Sequence, residues 1–374
     1  MALRGIEGFE IYGKTDDIGA RSGFIQWRYV GGYSTLGIGK GRGGGNALEI
    51  VSLAGARGAQ ISFGEPMQVG FIGFAVRLPS DSYGAGSLVF TGHDTTQPDP
   101  PADVHTYTQF TVRLNGVDGS ISYPGGRTVN NILPANTWAH VQIGWRCARD
   151  GTGRIQIKIN DVLVVNAAAE LMNPGATASY VSFPPSSNAF INGVGFANQD
   201  NLFGLLIDDI WVCDGTAGPG SLPCNTFLGD RKIVGLVPNS NAVVQWAPGG
   251  NAAVGENWQE LTTTDGDATY NTTGTVGAED LFTLTALPSN VVQVIAVQIA
   301  GSYKKMDASM HTITQRLNSG GVEAIGIPPL GVYSLSTDYQ TYTDLFAVDP
   351  RTNASWTLPA LAPGVIKIGY ALES

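Results

Sequence analysis

Charge is scarce in this sequence: Asp, Glu, Lys and Arg make up 14% of 374 residues, against roughly a quarter in an average chain. The apolar fraction is 43%, so the low charge does not describe a solvated, disordered polymer. Basic clusters are missing too. No run of Lys or Arg exceeds the pair Lys304-Lys305, and the balance of 21 basic against 31 acidic residues gives a net charge of −10. The electrostatic footprint of a nucleic-acid binder is therefore absent. Three cysteines, Cys147, Cys213 and Cys224, are too few and odd in number for a disulfide framework, and none has the C-x-x-C spacing of a zinc site. They are expected to be reduced, buried and small. No uncharged apolar stretch of about 18 residues occurs, which excludes a spanning helix, and the start MALRGIEGFEIYG lacks the apolar core of a signal peptide. The product is expected to be made soluble in a cytoplasm.

What is abundant is glycine (50 residues), supplemented by proline (20), spread along the whole chain in the manner of many turns. Between those turns the apolar residues recur with period two. In Arg154–Ile159, Ile155, Ile157 and Ile159 share one face while Gln156 and Lys158 share the other, the pattern of a strand with one wet face. Thr137–Arg146 alternates likewise, placing Val141, Ile143 and Trp145 on the core side and His140 on a wet surface. Asn160-Asp161 then separates Ile159 from Val162–Val165, residues suited to the positive φ of a two-residue hairpin turn. Val69–Leu78 is almost continuously apolar and reads as a central strand buried on both faces.

The run DGTAGPGSLPCNTF (214–227) carries no alternation, and a fresh set of short strands follows it. These are expected at Ala242–Trp246, Asp280–Thr285, Val291–Ala300, His311–Leu317, Val322–Ile327, Thr341–Val348 and Val365–Leu372. The fold class is thus all-β, with a first sandwich over residues 1–214, a linker at 215–227 and a second, smaller β-sandwich over 228–374.

Few constellations suggest chemistry. Gly39-Lys40-Gly41-Arg42-Gly43-Gly44 formally satisfies GxGxxG, but no helix follows whose N-terminus could hold a phosphate, and a tight backbone crossing is expected instead. His93, His105, His140 and His311 are scattered, without HxH or HExxH spacing. A retaining glycosidase needs two carboxylates roughly 5–5.5 Å apart, which an E-x-D-x-E strand would supply, and no such strand exists. Glu7 and Glu10 lie in what reads as a turn-rich entry segment. Strict alternation along Leu205–Cys213 points Asp208 and Asp209 to opposite faces, and an inward carboxylate needs hydrogen bonds or a cation, so Asp209 is a candidate metal contact. Asp265 and Asp267, in Asp265-Gly266-Asp267, are the other candidate calcium ligands, set against an ordinary Asp-Gly turn. No cofactor and no catalytic residue is expected.

A resemblance extends this reading. The order of Glu7-Gly8-Phe9-Glu10, Gly41–Leu48 (GRGGGNAL), Gly73-Phe74-Ala75-Val76, Trp138–Ile143, the Ile155–Val164 hairpin and Ile207-Asp208-Asp209-Ile210 resembles that of concanavalin A-like, laminin G-like jelly rolls. The form with an early EGFE and a GRxGGxAL segment is similar to those of tailed-bacteriophage virion proteins. Phe227–Arg231, Asn257-Trp258, Asp265–Tyr270, Gly277–Phe282 and Asp349-Pro350-Arg351-Thr352 resemble the second half of such proteins. The resemblance implies a non-enzymatic virion component displayed on the particle exterior as head decoration, collar or tail-associated appendage. Its partners would be other capsid, neck or tail proteins and further copies of itself in a symmetric array, without nucleic acid or membrane insertion. The alternative it leaves open is a receptor- or glycan-binding module of a tail fibre or spike that meets a host-surface glycan. The calcium-ligand set of legume lectins is not recognisable.

Overall fold

The computed structural model describes residues 3–9, 26–30, 34–37, 40–50, 58–79, 87–94, 107–116, 118–148, 152–168, 190–199, 205–216, 225–251, 255–262, 265–326 and 331–374. Among them no helix is long and apolar enough to cross a membrane. They form two compact units, the first reaching Ile233 and the second beginning at Val234.

The first unit opens with β1 (Leu3–Glu7), β2 (Gln26–Val30), β3 (Ser34–Gly37), β4 (Ala47–Ile50), β5 (Gly58–Met67), β6 (Val69–Arg77), β7 (Ser87–Asp94) and β8 (Tyr107–Asn115). It continues through β9 (Ile121–Tyr123), β10 (Gly126–Arg127), β11 (Trp138–Arg146), β12 (Arg154–Ile159), β13 (Val162–Ala168), β14 (Ile191–Gln199) and β15 (Leu205–Cys213). One sheet runs β13-β12-β11-β6-β15-β4-β3 with β1 added on β15, the other β10-β9-β8-β7-β14-β5-β2. Every pairing is antiparallel and sequence neighbours repeatedly sit in different sheets, which is the jelly-roll arrangement. β6 is central and buried along nearly its whole length, as its continuous apolar run predicts.

The core lies between the two sheets. Val141 pairs with Ile159, Ile143 with Ile157 and Trp145 with Ile155, and all six are buried. Trp145 reaches Phe110 of the opposite sheet, ring centroids 6.1 Å apart, while Phe74 meets Phe90 and Phe196 at 5.9 and 5.2 Å. The β12–β13 turn is the expected hairpin, with Asn160 at φ 47° and Asp161 at φ 65°. Glu7 departs from expectation: it belongs to β1, opposite Ile210, and is buried with Oε1 accepting the Phe9 N–H at 3.0 Å. Glu10, His105, Cys224 and residues 95–103 lie outside the described residues. Cys147 and Cys213 are buried, and burial pushes the Cys147 thiol up to about 12, far from the reactive range.

The second unit contains β16 (Pro238–Val243), β17 (Ala247–Gly249), β18 (Tyr270–Thr272), β19 (Glu279–Leu284), β20 (Val297–Tyr303), β21 (Thr312–Ser319), β22 (Val322–Ile325), β23 (Tyr333–Ser334), β24 (Gln340–Phe346) and β25 (Ile366–Leu372). A sheet of order β16-β19-β25-β21-β22, with β23 also on β21, faces the two-stranded sheet β20-β24. Leu284, Leu317 and Ile366 from the first pack with Ile299 and Phe346 from the second. Two expected strands shift for identifiable reasons. The one placed at Ala242–Trp246 stops at Val243, because the N–H groups of Gln245 and Trp246 turn to Asp280 Oδ1 at 2.7 and 3.0 Å. The one placed at Val291–Ala300 begins only at Val297, opposite Phe346, where its partner β24 ends.

Candidate functional site

Strand alternation fixes what the outer face of the larger sheet carries. Phe74 points into the core, so its neighbours Gly73 and Ala75 point out, and they pair with Gln142 and His140. This is the face expected to be wet, and it is not: His140 is 2% and Gln142 0% exposed. The segment Phe227–Ile233, which the composition assigns to the linker's end and the second domain, lies across it as part of the first unit. Gly229 N–H donates to Gln142 Oε1 at 2.9 Å, and Gln142 Nε2 donates to Asp161 Oδ1 at 2.8 Å. The Phe227 ring meets Phe71 edge-on at 5.2 Å beneath the Lys158 ammonium at 4.8 Å, and Leu228 is buried. Residues 228–233 are therefore a strap on the first sheet.

Charge holds the strap down. Arg42 forms a fork on Asp230, Nη1 to Oδ1 and Nη2 to Oδ2 both at 2.6 Å, the bidentate geometry in which a guanidinium binds a carboxylate best. Its Nη1 also reaches Asp209 Oδ2 at 3.5 Å, and its backbone N–H donates to Asp208 Oδ2 at 2.8 Å. The loop carrying Arg42 is the tight crossing expected of the glycine run: Gly41 N–H donates to Gly45 O at 2.8 Å, and a Cβ on Gly41 would fall 2.4 Å from Asn46 O.

Asp208 and Asp209 do not point to opposite faces. The pairing of β15 with β6 slips between Asp208 and Trp211, and Asp209 takes φ 53°, so a bulge breaks the alternation. Both carboxylates then serve one place. Asp209 Oδ1 accepts the Ile233 N–H at 2.7 Å and Asp208 Oδ1 accepts the Asp209 N–H at 2.7 Å. Beyond the bulge, Ile207 faces the core opposite Val76, while Trp211 lies outward against Gly73, where a Cβ would fall 2.2 Å from the indole. Burial, followed by the adjacent Asp208 charge, pushes Asp209 up to about 7, and burial also raises Asp208. Burial lowers His140 to about 4. Neither ring nitrogen of His140 nor the indole N–H of Trp211 has a hydrogen-bond partner among the described residues.

Asp265 and Asp267 sit in the second unit and work separately. Asp265 Oδ1 accepts both the N–H and the hydroxyl of Thr269, four residues on, at 3.0 Å, a side-chain clasp across the Asp-Gly-Asp turn. Asp267 pairs with Lys304, whose ammonium holds it below the usual carboxylate range, and accepts the Tyr339 hydroxyl at 3.0 Å. No group of three His, Cys, Asp or Glu arranged to hold a metal occurs among the described residues. Of the sequence-level candidates, only Asp209 enters a cluster. Arg42, Asp230, Gln142 and Asp161 complete it, and the one available signal was opposite charge in two glycine-flanked segments, Gly41-Arg42-Gly43 and Gly229-Asp230.

No family model matches the chain, and no curated protein matches it. Among solved structures it is similar to the endo-β-1,4-glucuronan lyase of Trichoderma reesei, at 12% identity over 57% of this chain and 95% of that one, TM-score 0.35. It is likewise similar to the carbohydrate recognition domain of Emp46p (8% identity, 56% and 99%, TM-score 0.34) and to the exoplasmic/lumenal domain of VIP36 (8%, 57% and 90%, TM-score 0.35).

Proposed function

We propose that the chain is a non-enzymatic structural component of a tailed-phage virion, displayed on the particle exterior as decoration, collar or tail-associated appendage. The observation that carries this reading is the covered centre of the larger sheet. The middle of its outer face, around His140 and Gln142, is occupied by the chain's own strap, and Arg42, Asp209, Gln142 and Asp161 are spent on holding it. Such a unit offers loops and edges to neighbours, as scaffolding proteins do. The order of the EGFE, GRGGGNAL and later motifs supports the same assignment. Quantitative mass spectrometry of purified virions tests it: the chain should be present at a copy number that divides into the particle's symmetry. Its absence from purified particles overturns the reading.

The second reading is a receptor- or glycan-binding module, favoured by half-buried aromatic side chains beside polar groups in the second unit. Tyr339 carries Lys304 over its ring at 4.6 Å and donates to Asp267. Apolar faces beside a few placed polar groups suit a saccharide. Glycan arrays and pull-down on host envelope polysaccharide separate the two readings, a specific glycan signal lost in Tyr339→Ala favouring the second.

A further inference from the structure

The second unit buries a carboxyl group with no cation beside it among the described residues. Asp344, in β24, is 2% exposed. Its Oδ1 lies 2.7 Å from the Tyr333 hydroxyl, which also lies 3.0 Å from the carbonyl oxygen of Thr343. A phenol has one hydrogen, so with an ionised Asp344 it serves only one of these two acceptors. Asp344 Oδ2 has no hydrogen-bond partner among the described residues. Gly326 closes one side, since a Cβ there would fall 1.7 Å from Oδ1, and the residues after it, Ile327-Pro328-Pro329-Leu330, bring no titratable side chain. The titratable groups facing the carboxyl are Tyr333 from β23 and Tyr303 from β20, with Tyr342 of β24 beside them. Gln315 of β21 spends its amide on the Tyr303 hydroxyl and Tyr342 O. No Lys, Arg or His joins them among the described residues.

We propose that Asp344 is a neutral carboxylic acid in the folded second unit and acts as a proton-operated lock on its aromatic core. In the locked form the carboxyl O–H donates to the Tyr333 oxygen and the phenol donates to Thr343 O. Oδ2 is then the carbonyl of an acid and not part of a buried charge. Loss of the proton to water leaves one hydrogen for two acceptors and an ion among aromatic rings, which is costly without a counter-charge. Hydrating that ion requires β23 and β24 to part beside it. Burial pushes Asp344 up to about 6, which brings the transition close to neutrality. The lock stands on the geometry of the second unit and does not depend on what the protein displays or binds.

Hydrogen–deuterium exchange on the full chain tests it, with labelling times scaled for the intrinsic pH dependence. The amides of Gln340–Phe346 should lose roughly tenfold or more of their protection between about pH 5 and pH 8, since each unit between a shifted and an ordinary carboxyl is a factor of ten. Asp344→Asn, whose amide donates to Tyr333 as the acid does, should abolish that pH dependence. Asp209→Asn in the first unit should leave it intact. An unchanged pH dependence in Asp344→Asn overturns the lock. If that variant does not fold, carbon-13 titration of the wild-type carboxyl decides: an Asp344 still protonated at about pH 5, above the ordinary aspartate value of about 3.9, sustains the proposal, and one already ionised there overturns it.

Discussion

Single side chains in this protein are bound by what lies directly across a strand pair. Trp145 is the clearest case, packed on Gly70, where a Cβ would fall 2.2 Å from its ring, and touching Phe110 across the sandwich. Truncating Trp145 to Ala removes a large, fully buried side chain from a core that collapses little, and should cost about 3–5 kcal/mol, read from denaturant unfolding of the full chain. An unchanged midpoint would mean that the β11–β12 register is wrong. Asp209 is the opposite kind of residue, a buried acid in the left-handed region beside a second acid. Asp209→Asn keeps the Ile233 hydrogen bond through the amide oxygen and removes the repulsion from Asp208. Its stability relative to wild type should therefore improve as pH rises from about 4 to about 7 and level off above that, measured by urea titration at fixed ionic strength; a growing deficit in that range would contradict the assignment.

At the level of elements, the strap is the piece with separable energetics. Its ion pair is partly exposed, with side-chain exposures of 24% for Arg42 and 34% for Asp230, so solvent screens it and the whole pair is worth about 1 kcal/mol at most. Arg42→Asp and Asp230→Arg should each raise amide exchange in residues 227–233, while the double charge reversal should restore part of the protection, because the fork is rebuilt with opposite sign but the acid at position 42 then faces Asp209. A double variant no better protected than either single one would contradict a direct coupling between the two positions. The β12–β13 hairpin adds a second layer to its turn chemistry. Asn160 and Asp161 tolerate positive φ, and their side chains also receive the His140 N–H and the Gln142 amide, both at 2.8 Å, which ties the turn to the face the strap covers.

Over the whole molecule, the two units should respond differently to acid and base. A carboxyl whose folded value is raised binds protons that the unfolded chain has released, so stability falls as pH rises from the ordinary value to the folded one. A histidine whose folded value is lowered does the reverse: its stability is lost as pH falls from about 6.5 towards about 4. In the first unit Asp209 and His140 oppose each other between about pH 4 and 6.5, leaving a shallow profile. In the second, Asp344 has no such counterweight, and stability should decline between about pH 4 and 6. Exchange measured separately on peptides from each unit distinguishes the two profiles, and parallel curves would refute the assignment.

Period-two alternation, glycine-rich punctuation and the Asn-Asp turn were enough to establish an all-β chain, the central place of Val69–Leu78 and the facing of Ile155, Ile157 and Ile159 with Val141, Ile143 and Trp145. These follow from the backbone itself, because a strand's side-chain direction repeats every two residues wherever pairing is regular. Tertiary structure alone decided the rest. The bulge at Asp209 exists because β15 must pair with β6 on both sides of an irregularity, and no local pattern marks where a ladder slips. The burial of His140 and Gln142 depends on a segment some 90 residues further along folding back on their sheet, held by opposite charges far apart in sequence. Alternation says which face a residue is on; what covers that face depends on long-range packing.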